Sequence, residues 1–264
     1  MPSGFLYYVD AEIIALFLLI LLFASLELGY RLGRRARAHA DDTAKSQSGT
    51  IEGAVIGVLA LLLAFTLSMS IARYETRREL VLDEANAIGT TYLRAKMLPA
   101  PFETQVADLL RQYVANRLEF YNAGIDQARQ QAANEQAVQL QGRLWSVAMA
   151  ASAQDNRAVP TGLFVQALND TIDLQAKRLA ATRNIVPETV VLLLLGVAAA
   201  TAAIVGYNSG LSNRRHVFAG ITLIILIAVI VWVLIDLDRP SRGLIRVSQQ
   251  SMIDLQDSLN KDIP

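Results

Sequence analysis

No cysteine occurs anywhere in the chain, which excludes disulfides, thiol nucleophiles and cysteine-based metal sites. Histidine is nearly missing as well. His39 and His216 stand in separate Arg-rich segments, too isolated to form a ligand pair, so neither a metal nor a cofactor is expected. The glycine-framed serine, HExxH, phosphate-loop and dinucleotide patterns are all lacking, so no catalytic residue is nominated and an enzyme is not expected. Neither sign of charge is in excess, with 24 basic against 24 acidic residues. A nucleic-acid partner would call for a basic excess or stripe, and none is present. Strand-period alternation is essentially absent too, which leaves an all-α chain.

What the chain has in surplus is apolar sequence. Only 18% of residues are charged, against about 25% in soluble domains, and mean hydropathy is +0.34. The surplus falls in four uncharged runs: 13–26 (followed by Glu27 and Leu28-Gly29-Tyr30), 53–72, 189–210 and 217–235. A helix needs about 20 predominantly apolar residues to cross the hydrocarbon core, so the fold class is an all-α membrane protein with four spans. The first run is read as a retained anchor, because its start carries no Lys or Arg, unlike a signal peptide.

The remainder reads as helix. After Arg73 the second span meets no breaker, and Leu80, Glu84, Ile88 and Tyr92 keep helical spacing up to Leu98-Pro99-Ala100-Pro101. The second span is therefore expected to protrude from the bilayer as one long rod. Val106, Leu109, Leu110, Tyr113, Arg117, Phe120 and Tyr121 form a second periodic stretch. A Gln/Ala-rich helix at 126–153, a turn at Gln154-Asp155-Asn156-Arg157, and a last amphipathic helix through Phe164, Leu168, Ile172 and Gln175 complete a soluble bundle. Pro187 opens the third span, a position that proline tolerates. The expected organisation is thus 1–74 (two spans and a basic loop), 75–184 (bundle), 185–238 (two spans) and 239–264 (tail). The tail carries a short amphipathic helix, with Met252, Leu255 and Leu259 spaced to pack on the bundle or the membrane surface.

Arg31, Arg34, Arg35, Arg37 and Lys45 crowd the first loop, and Arg214 and Arg215 the loop between the last two spans. The positive-inside rule places both loops in the cytoplasm and the bundle outside. Basic residues also flank the spans on the bundle side, among them Arg73, Arg77, Arg78, Arg239 and Arg242.

Glu27 and Arg31 are four apart, on one helix face, and suit an ion pair; an acid at that depth also suits a water-filled path or a subunit contact. Glu52 is read at the first turn of the second span, where the helix dipole favours an anion. That span carries Gly53 and Gly57 in a GxxxG pattern that permits close helix packing. Thr66 and Ser70 share another face, where they either line an ion path or bond the preceding turn. Arg73, Glu75, Arg77, Arg78, Asp83 and Glu84 stand where the second span leaves the membrane, and Asp236 and Asp238 end the fourth span. Such a ring pairs helix with helix or forms a charged vestibule that concentrates anions. Asn169-Asp170-Thr171 matches a glycosylation sequon and is read as chance.

Leu62-Leu63-Ala64-Phe65, followed by Arg73-Tyr74-Glu75-Thr76-Arg77-Arg78, resembles the bestrophin anion-channel signature, a Leu-Gly-Phe run eight residues before an Arg-Trp-Trp segment. Most of the chain is similar to a mainly bacterial membrane family described as bestrophin-like, through Glu84-Ala85-Asn86, Tyr92-Leu93-Arg94, Leu98-Pro99, and Asp236-Leu237-Asp238-Arg239-Pro240 with Gly243. Bestrophins are pentamers whose second spans line the pore, with a three-residue apolar neck. The resemblance therefore implies a neck of Gly57, Leu61 and Phe65, although glycine departs from the apolar pattern and Tyr74 and Glu75 replace the tryptophans. It also implies a cytosolic bundle, opposite to the charge-based orientation.

Two functions remain open from sequence. One is a homo-oligomeric channel passing small anions, with Gly57, Leu61, Phe65, Thr66 and Ser70 as pore candidates and Glu27, Arg31, Glu52, Arg73, Arg77, Asp236 and Asp238 as vestibule or ion-pair candidates. The other is a non-transporting sensor or scaffold whose bundle binds a ligand or partner. The lipid bilayer is the partner common to both.

Overall fold

The computed structural model describes residues 9–154, 158–212, 217–240 and 242–261. Of the expected turn at 154–157, Gln154 ends a helix and residues 155–157 lie outside this set, as do Arg214, Arg215, His216 and the first eight residues. Among the described residues there is no strand. The helices are α1 (Ala11–Ala36), α2 (Asp42–Ala95), α3 (Phe102–Asn122), α4 (Gln127–Gln154), α5 (Ala158–Arg183), α6 (Glu188–Ser212), α7 (Val217–Leu237) and α8 (Gln250–Lys261). Four are long and apolar enough to cross a membrane, which makes this an all-α integral membrane protein. The chain divides into two compact units, one of residues 1–73, 185–239 and 243–245, the other of 74–184, 240–242 and 246–264.

In the first unit, α1, the first part of α2, α6 and α7 share one apolar core, with Leu18 and Leu22 of α1, Leu59 and Leu63 of α2, Leu194 and Ala198 of α6, and Ile224 and Val231 of α7. Their outer faces stay apolar as well: Phe17, Ile20, Leu192 and Leu226 are exposed. Lipid-facing surface is the physical reason a span is hydrophobic all round. The closest packing is between α1 and α6. A Cβ on Gly29 would sit 1.9 Å from the Ala203 carbonyl oxygen, one on Gly33 2.0 Å from that of Tyr207, and one on Gly206 2.0 Å from that of Leu26. Two GxxxG steps, Gly29/Gly33 and Gly206/Gly210, thus let the two backbones touch. In lipid, where apolar burial drives little association, such contact is what holds helices together.

The expectation that Gly53 and Gly57 mediate helix packing is not met within this chain, since a Cβ at either would meet nothing within 4 Å. Glu52 is likewise displaced from its expected place. The helix starts at Asp42, where the Asp41 carboxylate accepts the Ala44 N–H at 2.8 Å, an N-cap arrangement that satisfies a free backbone donor. Glu52 therefore lies in the third turn rather than the first. At 54 residues, α2 exceeds the roughly 20 residues that a bilayer requires and protrudes beyond it.

The second unit is a helical bundle of the far part of α2 with α3, α4, α5 and α8. Ile88 and Tyr92 of α2, Val106, Leu110 and Tyr113 of α3, Leu140, Leu144 and Ala148 of α4, and Phe164 and Leu168 of α5 make its core. Met252 and Leu259 of α8 are buried in the same core, so the tail helix packs on the bundle. Some polar side chains inside meet in pairs: the Thr91 and Thr171 hydroxyls lie 2.9 Å apart, and Gln175 Nε2 donates to Asn134 Oδ1 at 3.0 Å.

Candidate functional site

Gly57, Leu61 and Phe65 are spaced i, i+4, i+8, which puts them in one stripe along α2. The stripe is open within the chain, with Leu61 56% and Phe65 62% exposed. Leu59, Leu63, Thr66 and Ser70 form the buried stripe of the same helix. Thr66 Oγ1 donates to the Leu62 carbonyl at 2.7 Å, while the buried Ser70 Oγ has no hydrogen-bond partner. The structure thus does not bring the five pore candidates together. Three face outward, and two face the core of the first unit.

The charged candidates are all engaged. Arg31 Nε lies 2.8 Å from Glu27 Oε1 on the exposed side of α1. Glu52 accepts from Asn208 Nδ2 of α6, and the same amide donates to the Ser48 carbonyl at 3.1 Å. These groups border a wide cleft of about 450 Å3 that also exposes Lys45, Ser209 and Ser212. Arg73 Nη1 stands 3.8 Å from Asp238 Oδ1, and Asp238 Oδ2 accepts the Val186 N–H at 2.7 Å. Arg77 belongs to the second unit, where Nε donates to the Ala181 carbonyl at 3.2 Å and Nη2 to that of Asn184 at 2.8 Å. These carbonyls end α5, so a cation there offsets the negative pole of the helix.

The densest ionic cluster is one that sequence reasoning did not assemble. Glu84 of α2 is fully buried and takes two guanidiniums: Arg117 Nε of α3 at 2.8 Å, and Arg178 Nη1 of α5. Arg178 Nη2 also reaches Gln249 Oε1 at 2.9 Å. Burial pushes the Arg178 pKa below its ordinary value, opposed by the Glu84 charge. Tyr113, close by, is pushed well above the usual phenol value, first by burial and then by Glu84. Beside the cluster is a cavity of about 40 Å3, lined by Arg77, Arg117, Arg178, Tyr121, Thr182 and Gln249 among apolar side chains. In sequence Glu84 appeared in an apolar stripe and in the ring of charges where the second span leaves the membrane, and Arg117 only in an apolar stripe, with nothing to pair the two. A charged residue at a core position of a helix was the one signal that they needed a buried partner.

The family model described as a bestrophin-like domain matches residues 18–252. This chain belongs to the bestrophin-like family. No curated protein matches the chain, and no solved structure does.

The matched region of this bestrophin-like protein contains the Asp236-to-Pro240 segment with Gly243, and the fold gives that segment a structural role. Asp236 Oδ2 accepts the N–H groups of Leu244 at 3.0 Å and Ile245 at 2.8 Å, turning the chain back after α7. Gly243 sits inside this turn with φ +98°, and a Cβ on it would lie 2.0 Å from Asp236 Oδ1. Backbone conformation and space both require glycine there.

Proposed function

We propose that this bestrophin-like membrane protein is a homo-oligomeric channel for small anions, with the outward stripe of α2 lining the pore. One observation carries the reading: Gly57, Leu61 and Phe65 form a stripe left uncovered by the rest of the chain, on the helix that resembles the pore helix of bestrophins. In a ring of subunits Leu61 and Phe65 make two apolar constrictions, and Gly57 leaves a wider collar above them. Such a neck gates by dewetting. Arg73 and Asp238, with Glu27 and Arg31, belong to the mouths of this pathway. The basic residues from Arg31 to Lys45 favour a bundle outside a bacterial plasma membrane.

The test is chloride efflux from liposomes holding the purified full-length protein, with Phe65→Ala and Glu27→Gln in parallel. Phe65→Ala widens the neck and is expected to raise flux several-fold. Background flux in all three samples, with oligomers intact, removes the channel reading. The second reading, a sensor or scaffold with a ligand in its bundle, is favoured by the arginine-lined cavity. A ligand that raises the bundle's melting temperature in a protein without flux would establish it.

A further inference from the structure

We infer that the bundle cavity is a binding site for a small planar oxyanion of the carboxylate class. The inference does not depend on conduction: it names the ligand chemistry available to the bundle whether or not the membrane unit passes ions. The cavity lies wholly within the second unit. Among its described lining residues are three arginines and no acid. Glu84 is bonded to two of them, Arg117 and Arg178. One carboxylate thus serves two guanidiniums in a place where desolvation makes unmatched charge costly.

Hydrogen bonding points the same way. The Arg117 side chain is 2% exposed, its Nε is used by Glu84, and its Nη1 is buried with no acceptor. Buried donors of this kind are normally satisfied, and an unsatisfied one calls for a missing partner. The phenol of Tyr121 and the amide of Gln249, which gives one of its two protons to the Val247 carbonyl, line the same space and add neutral donors, whereas the Thr182 hydroxyl already donates to the Leu179 carbonyl at 2.8 Å. Size selects among anions. A volume of about 40 Å3 holds about three water-sized groups, a scale that suits formate or acetate. Shape selects as well, since guanidinium forks match planar carboxylates better than spherical halides. The apolar wall of Leu80, Val81 and Val247 accommodates a methyl group.

The experiment uses the full-length protein in detergent, in a Trp232→Phe background so that Trp145 of the bundle reports unfolding. Sodium formate and sodium acetate are titrated against sodium chloride at constant ionic strength. The expected result is a saturable rise in the bundle's melting temperature with the carboxylates, absent with chloride alone. Ala181→Leu fills the cavity while keeping every arginine, and is expected to abolish the rise. Arg117→Lys keeps the charge beside Glu84 but loses the fork, and is expected to weaken carboxylate binding roughly tenfold. A rise that persists in Ala181→Leu places the ligand elsewhere and overturns the proposal. So does an equal effect of chloride, or no saturable effect of either carboxylate.

Discussion

Glu84 shows how one buried side chain can govern a whole unit. It is fully enclosed and bonded to Arg117 and Arg178, so removing its charge leaves two guanidiniums without a counter-charge in the bundle core. Breaking a buried ion cluster by deleting one partner costs about 3–5 kcal/mol. Glu84→Gln is therefore expected to lower the bundle's stability by that amount, measured by urea unfolding followed through Trp145 fluorescence. A loss under about 1 kcal/mol, the range of an exposed pair, would show the cluster to be energetically idle. Tyr113 reports on the same environment through pH. Its phenol is held protonated well above the ordinary value of 10 by burial and by Glu84. Below pH 10 both folded and unfolded states keep the proton, and stability is unaffected. Above it the unfolded chain ionises while the folded one does not, so stability falls by up to about 1.4 kcal/mol per pH unit. Tyr113→Phe removes that slope between about pH 10 and 11. An unchanged slope in unfolding curves of the variant would assign the alkaline loss to other groups.

At the scale of elements, glycines on two helices do opposite things. Gly206 lies where α6 touches the backbone of α1, and Gly57 lies on an open face of α2. Gly206→Leu is expected to abolish a folded, monodisperse peak in size-exclusion chromatography of the solubilised protein, because no rotamer clears the Leu26 carbonyl. Gly57→Leu is expected to keep that peak and, on the channel reading, to cut chloride efflux by narrowing the collar. If both variants run alike, the α1–α6 contact is looser than the structure shows. The same helices mark what could be read from sequence. Four spans were legible because a run of about 20 uncharged residues matches the thickness of a bilayer and little else, and the protrusion of α2 because no breaker intervenes before Pro99. The start of α2 was missed: the Asp41-Asp42-Thr43 capping signal sits inside a segment whose arginines suggested a loop. The α1–α6 interlock was also present as two GxxxG steps, but the pattern is equally visible at Gly53 and Gly57, and only the fold decides which pair meets a neighbour. The Glu84 cluster lay beyond sequence, since its partners are 33 and 94 residues away and nothing local links them.

For the whole molecule the side of the membrane that holds the bundle matters most, because it decides what the arginine cavity and the proposed α2 pathway can sample. Two physical arguments conflict. The basic residues from Arg31 to Lys45, at the end of α1 and the start of α2, favour a cytoplasmic loop and an external bundle, whereas the resemblance to bestrophins implies a cytosolic one. The complete lack of cysteine makes the matter directly measurable, since any introduced thiol is unique. Val138 of α4 is exposed on the bundle, and Gln47 is exposed near the start of α2; neither belongs to a core or to a nominated site. On the charge-based orientation, Val138→Cys is labelled by a membrane-impermeant maleimide in intact cells, and Gln47→Cys only after permeabilisation. The reverse pattern puts the bundle in the cytosol. In that case the basic residues flanking the spans on the bundle side, Arg77, Arg78, Arg239 and Arg242 among them, outweigh the loop in setting topology, and the cavity would meet intracellular carboxylates rather than those of the surroundings.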